Sequence, residues 1–210
     1  MGVALLEKEK RAPQSPRSIS EEEFEVWCGE DVKAEYIDGE VIVMPPSSIV
    51  HDSGEFALGV LIGLFVKKNK LGWVSASGMV QARLRKGLRR CPDTVFVEKS
   101  RMRIVKSTYV EGAPDLVVEV VSPDSVLRDW HEKYREYETA GVREYWIVDQ
   151  QQQRMEVYHL GKDRRFHALT LRDSKFNSRV LSGFWVKPEW FWGNSDFDYY
   201  EMAREIGIIA

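Results

Sequence analysis

The sequence predicts a mixed α/β fold, a central sheet flanked by helices, and three stretches carry that prediction. Leu116–Val121, Val126–Ala140 and Glu144–Asp149 read as strand, helix and strand, the spacing of a parallel βαβ unit with a right-handed crossover. Ala34–Met44 alternates around Asp38-Gly39, the signature of a β-hairpin. The segment from His51 to Lys68 carries Phe56, Val60, Leu61, Leu64 and Phe65 at helical spacing, which predicts an amphipathic helix packed on a sheet.

The remaining elements follow in chain order. Residues 1–17 lack the hydrophobic run of a signal peptide, and Leu6 stands where a myristoylation motif needs Ser or Thr, so this segment is read as a flexible arm. Ser18-Ile19-Ser20 before Glu21, Glu22 and Glu23 is helix-start chemistry, with acidic residues at the positive end of the dipole. Trp73–Ala76 and Met79–Leu84 read as strands around Gly78, Lys86–Arg90 as a basic loop, and Thr94–Val97 as a further strand. Residues 100–114 are irregular before the Gly112-Ala113-Pro114 breaker. Ser122-Pro123-Asp124-Ser125 starts the crossover helix, and Gly141 stops it. Arg154–Leu160 and Phe166–Leu171 alternate like an antiparallel edge, and Trp185, Trp190 and Trp192 cover a face.

The 210 residues, 43% of them hydrophobic, suffice for one core, so residues 18–210 are expected to form one domain. Thirty Lys+Arg against 33 Asp+Glu leave a net charge of -3, which gives no global basic signal for nucleic acid; any DNA contact must be local. No transmembrane span is read in the sequence. Cys28 and Cys91 lack metal-finger spacing, and a chain this long folds without a disulfide, which fits a reducing cytoplasm.

The chemistry centres on Glu119, a carboxylate inside the apolar run Leu116–Val121. Burying it unpaired costs several kcal/mol, so a cation or proton should be arranged for it. On the following helix Val126, Trp130, Lys133, Tyr137 and Ala140 share one stripe. Lys133 must therefore snorkel outward or meet an anion, and Glu119, one element earlier, is the obvious partner. Asp93 opens the strand before that of Glu119, 26 residues earlier (119 − 93), far enough to form an antiparallel neighbour. Two carboxylates and an ammonium on adjoining elements make an oxygen-rich site for Mg²⁺ or Mn²⁺. Such a site polarises a phosphoryl oxygen and activates water, with Lys133 at the developing charge. The bland reading is a buried Glu119–Lys133 ion pair with no chemistry.

KAEYIDGEVIVM, the following His51, PDTVFVE, GAPDLVVEVVSP and RDWHEKYREYETAGVREYWIVD together resemble the successive blocks of the Uma-two family of restriction-endonuclease-like proteins, numerous in cyanobacteria. The resemblance spans roughly residues 35–160 and implies the PD-(D/E)xK nuclease fold: a restriction-endonuclease-like core with an added N-terminal helix and β-hairpin. It implies Asp93 as the motif aspartate, Glu119 as the second acidic residue, and a divalent metal between them. The motif's lysine falls on Val121, and Lys133 is its expected replacement.

Asp115 also follows a proline. Four residues from Glu119 along a strand it shares a face with it, at roughly 13 Å, too far for one metal. Its open roles are holding a loop, binding a second ion or contacting substrate. His51 occurs where the resemblance expects histidine, for water or the scissile phosphate, with helix capping as the plain alternative. The expected activity is therefore a metal-dependent phosphodiesterase, foremost a DNA endonuclease, working as a homodimer. Its rivals are a non-catalytic nuclease-fold module binding nucleic acid or protein, favoured by Val121 and the negative charge, and a carboxylate-pair hydrolase acting on another substrate.

Overall fold

The structure, a computed structural model, describes residues 18–29, 32–122, 125–192 and 196–210. The expected arm, residues 1–17, and the Pro123-Asp124 part of the helix start lie outside these residues.

Helix α1 (Glu21–Cys28) begins in a capping box: the Ser20 hydroxyl accepts from the Glu23 amide, and the Glu23 carboxylate accepts from the Ser20 amide. Strands β1 (Ala34–Ile37) and β2 (Glu40–Val43) form the expected hairpin. Its turn residues Asp38 and Gly39 both have positive φ, 46° and 103°, as the twist-matched two-residue turn requires. Helix α2 (Ile49–Asn69) follows, capped by Ser48, and then β3 (Gly72–Ser75), β4 (Gln81–Arg85), β5 (Leu88–Arg90) and β6 (Thr94–Glu98). A 3-10 turn at Lys99–Ile104 and β7 (Tyr109–Glu111) lead to β8 (Leu116–Val120). The crossover contains a π-helical turn, Arg128–Lys133, that runs into α3 (Tyr134–Ala140). After it come β9 (Glu144–Asp149), β10 (Arg154–Leu160), β11 (Phe166–Ala168), the short pair β12 (Phe176–Asn177) and β13 (Trp185–Val186), and α4 (Tyr199–Glu205).

A mixed six-stranded sheet runs β11-β10-β9-β8-β6-β3, with β8 and β9 parallel and the other pairs antiparallel. A five-stranded sheet runs β2-β1-β5-β4-β7. One core cluster joins α2 (Leu58, Leu61, Ile62) to Phe96, Val118, Val120 and Trp146 of the large sheet, and the C-terminal aromatics Phe184 and Phe191 close over it, with Trp190 and Trp192 packed against it. The second cluster lies with Val95, Val117, Tyr145 and Ile147, joining Tyr137 of α3 to Ala82, Leu84 and Leu88 of the smaller sheet.

Three expectations are corrected. On α2, Phe56 and Leu64 are 54% and 42% exposed, and the buried line is Ala57, Leu58, Leu61, Ile62, Phe65 and Val66. This helix is apolar over most of its circumference, with a mean hydropathy of 1.6 over its most apolar window, so periodicity alone cannot fix which side faces the sheet. Lys86–Arg90 is not a solvated loop: Leu88–Arg90 is a central strand of the smaller sheet, with Arg89 and Arg90 buried. Arg90 meets Glu35 at 2.7 Å and Glu136 at 2.7 Å, and Arg89 meets Glu21 at 2.8 Å and also Glu25. The irregular 100–114 segment contains β7, which pairs parallel to β4.

Glu144 fastens the C-terminal covering to the sheet. Fully buried on β9, it accepts from Trp146 Nε1 (2.7 Å), Ser178 Oγ (2.7 Å) and the amides of Arg179 (2.7 Å) and Val180 (3.1 Å). Removing one charged acceptor from four donors leaves several of them buried and unpaired, each costing about 1–3 kcal/mol. Glu144→Ala is therefore expected to lower the unfolding free energy by about 3 kcal/mol or more, measured as the urea midpoint followed by tryptophan fluorescence.

Candidate active site

The site forms where the end of β8 meets the beginning of β6, a juxtaposition set by their antiparallel register. Thr94 pairs with Val118 and Val95 with Val117, so one step further Asp93 falls opposite Glu119, within cross-strand reach. Asp93 is tied to that strand, its Oδ2 accepting from the Val120 amide at 2.7 Å. The first turn of α2 brings His51, with Nε2 at 3.6 Å from Asp93 Oδ2, and one turn later Glu55, with Oε2 at 3.9 Å from His51 Nδ1. Ligand atoms of His51, Glu55 and Asp93 all lie within 4.8 Å of one another, and all three residues are buried. Lys33, just before β1, places Nζ at 3.6 Å from Asp93 Oδ1.

Glu119 is held from the other side. Its Oε2 accepts from Lys133 Nζ at 2.7 Å, and its Oε1 accepts from the Tyr137 hydroxyl at 2.6 Å. Lys133 also meets Asp129 at 2.9 Å and Glu35 at 3.6 Å. The π-helical turn thus delivers Asp129 and Lys133 together, with Tyr137 one turn on, a setting where such turns are frequent. His51, Asp93, Glu119, Asp129, Lys133 and Lys33 line one cavity of about 250 Å³. A larger cavity, about 570 Å³, lies against Cys28, Gln81, Arg89 and Tyr109. Its buried cation, Arg89, is already paired with Glu21 and Glu25.

The charges are unevenly balanced. Burial pushes Glu119 up to about 8; Lys133 pulls it down, while Asp129, Asp93 and Glu35 push it further up. Burial, then the Asp93 charge, raises Glu55 to about 7. For Asp93 burial acts upward, but His51, Lys33 and Lys133 outweigh it and hold the carboxyl below its usual range. For His51 burial acts downward, and Asp93 and Glu55 outweigh it and raise the imidazole. For Lys133 burial again acts downward, and Glu119, Glu35 and Asp129 more than offset it.

Of the residues singled out in the sequence, the structure brings together Asp93, Glu119, Lys133 and His51. Asp115 stands apart, at the opposite end of β8, and is not part of this cluster. It is fully buried, accepting from the Glu98 amide (2.8 Å), Arg101 (2.7 Å) and Arg143 (3.0 Å), and holds the 3-10 turn to the strand ends. Glu55, Asp129 and Lys33 escaped the sequence reading. The first two stood in view as four-residue steps, His51 to Glu55 and Asp129 to Lys133; Lys33 carries no local signal.

Glu119 has a folded-state pKa raised from 4.5 to about 8. Its stabilising contribution is full below 4.5 and lost as pH climbs through about 8, because the unfolded carboxyl ionises first. Glu119→Gln, which cannot ionise, is expected to gain stability relative to wild type across this window, read from paired urea titrations at pH 4.5, 6.5 and 8.5.

Residues 21–189 match the family model Uma2, described as "Putative restriction endonuclease". No curated protein matches the chain. Among solved structures the fold is similar to a putative nuclease belonging to DUF820 from Anabaena variabilis, at a TM-score of 0.62 and 17% identity over 74% of this chain and 87% of that one. With the mixed sheet, its flanking helices and the acidic cluster at the sheet end, the family match leads to one conclusion: the chain belongs to the Uma2 family.

Proposed function

We propose that the protein is a metal-dependent nuclease, a phosphodiesterase with DNA as its foremost substrate and Mg²⁺ or Mn²⁺ as its cofactor. The observation that carries this reading is the convergence of His51, Glu55 and Asp93 on the cavity that also holds the Glu119–Lys133 pair. The residues fit a divalent cation. His51 Nδ1 is buried without a hydrogen-bond partner, and Glu55 and Asp93 bring carboxylate oxygens within 4.8 Å of the imidazole. Carboxylate oxygens suit Mg²⁺, and an imidazole in the set moves the preference toward Mn²⁺.

Asp93 is the central ligand, with Glu55 and His51 beside it and Glu119, the motif's second acidic residue, across the cavity. Bound there, the cation would polarise a phosphoryl oxygen and lower the pKa of a water. Burial raises the Glu119 carboxyl toward the range a general acid or base uses. Lys133 and Tyr137 fix the position of its carboxyl group, and Lys133 thereby assists from the helix in place of a lysine at Val121. The reading extends to one domain over residues 18–210, a homodimer and a cytoplasmic setting.

The alternative, a nuclease scaffold that binds nucleic acid or protein without cutting, is favoured by Val121, which packs into the apolar cluster where the motif's lysine would stand. Cleavage of plasmid DNA in Mn²⁺ decides between them. Asp93→Asn and Glu119→Ala are each expected to lower the single-turnover rate at least about 100-fold, and Asp93→Asn to abolish the Mn²⁺ binding seen by calorimetry. Undiminished cutting by Glu119→Ala would sink the assignment; Mn²⁺-independent binding without cutting by wild type would favour the scaffold.

A further inference from the structure

Lys133 is fully engaged before any substrate arrives. Its side chain is 3% exposed and is surrounded by Glu119, Asp129 and Glu35 at 2.7, 2.9 and 3.6 Å. An ammonium has three protons, and here three carboxylates compete for them. Lys33 differs on each count. Its side chain is 20% exposed, and its distance to Asp93, 3.6 Å, lies beyond hydrogen-bond reach.

Lys33 also stands where two cavities meet. One, of about 250 Å³, contains His51, Asp93, Glu119 and Lys133; the other, of about 390 Å³, contains Asp52, Glu55, Phe56 and Ser77. They share Lys33 with Met44, Pro45, Pro46 and Ser47. The base of the hairpin fixes the lysine backbone, the Met44 amide donating to the Lys33 carbonyl at 2.9 Å. Opposite, Gly78 has a φ of +60°, and a Cβ there would come within 2.5 Å of Lys33 Nζ and 3.1 Å of Glu55 Oε1. The Gly78 amide donates to the Asp93 carbonyl at 3.3 Å. The turn facing the ammonium is thus anchored to the acidic strand and bare of side chain.

We propose that Lys33, from the hairpin base, is the catalytic cation that contacts the scissile phosphate, while Lys133 serves as a positioning residue for Glu119. This rests on the nuclease reading above. The four-carbon stem lets the ammonium leave Asp93 for a non-bridging oxygen of a phosphodiester entering through the shared mouth. Without a phosphate, Lys33 balances part of the Asp93 charge.

The test compares wild type with Lys33→Met, Lys33→Gln, Lys33→Arg, Asp93→Asn and the surface control Lys162→Met. Binding of a fluorescein-labelled DNA duplex is followed by anisotropy without divalent cation, and single-turnover cleavage is followed in Mn²⁺. Lys33→Met and Lys33→Gln are expected to bind at least about fivefold more weakly, with a salt slope smaller by about 0.9, and to cleave at least about 100-fold more slowly. Lys33→Arg retains the affinity and the slope, and Lys162→Met behaves as wild type. Cleavage by Lys33→Met or Lys33→Gln within about threefold of wild type, with Asp93→Asn inactive, overturns the lysine assignment and leaves the nuclease standing. Wild-type protein that neither binds nor cuts DNA overturns both.

Discussion

One buried ammonium, that of Lys133, is the constraint around which the molecule is arranged. It joins three carboxylates from three elements: Glu35 of β1, Glu119 of β8 and Asp129 of the π-helical turn. Glu35 passes the connection to Arg90 of β5, and Arg90 to Glu136 of α3. The hairpin, the small sheet, the large sheet and the crossover are thereby linked through a charged interior. Buried ions are costly unless each is compensated. Burial above all, and then the surplus of carboxylates over cations, raises the Glu119 carboxyl to about 8.

Topology then decides what that network can do. Because β8 runs parallel to β9 and antiparallel to β6, the last residues of β8 and the residue before β6 share one end of the sheet. Asp93 and Glu119 meet there with no unusual backbone. Helix α2 lies on the opposite face and contributes through its first two turns, so His51 and Glu55 approach the same end from the other side. A site on the rim of a sheet, framed by helix starts and turns, can vary its chemistry while the cores beneath stay intact.

The parts of this arrangement visible in the sequence are those encoded locally. The β8–α3–β9 unit, the hairpin and the Lys133 stripe follow from periodicity and turn chemistry over a few residues, and the pairing of Glu119 with Lys133 follows from one charge on each. The buried side of α2 was hidden because an almost wholly apolar helix has little moment. Arg89 and Arg90 read as a solvated run because their partners, Glu21, Glu25, Glu35 and Glu136, lie at 46 residues or more from them in the chain. Lys33 was invisible for the same reason: its significance comes from Asp93 and Gly78, both supplied by distant elements.

The reach of Lys133 along the chain also has a consequence for how the molecule assembles. Its contact with Glu119 closes a separation of 14 residues, whereas that with Glu35 closes one of 98 (133 − 35). Loop-closure entropy favours the short connection first. The crossover and its two strands can therefore condense as a nucleus with Lys133 and Glu119 already paired. The hairpin carrying Glu35 has the larger closure entropy to overcome before it joins that pair.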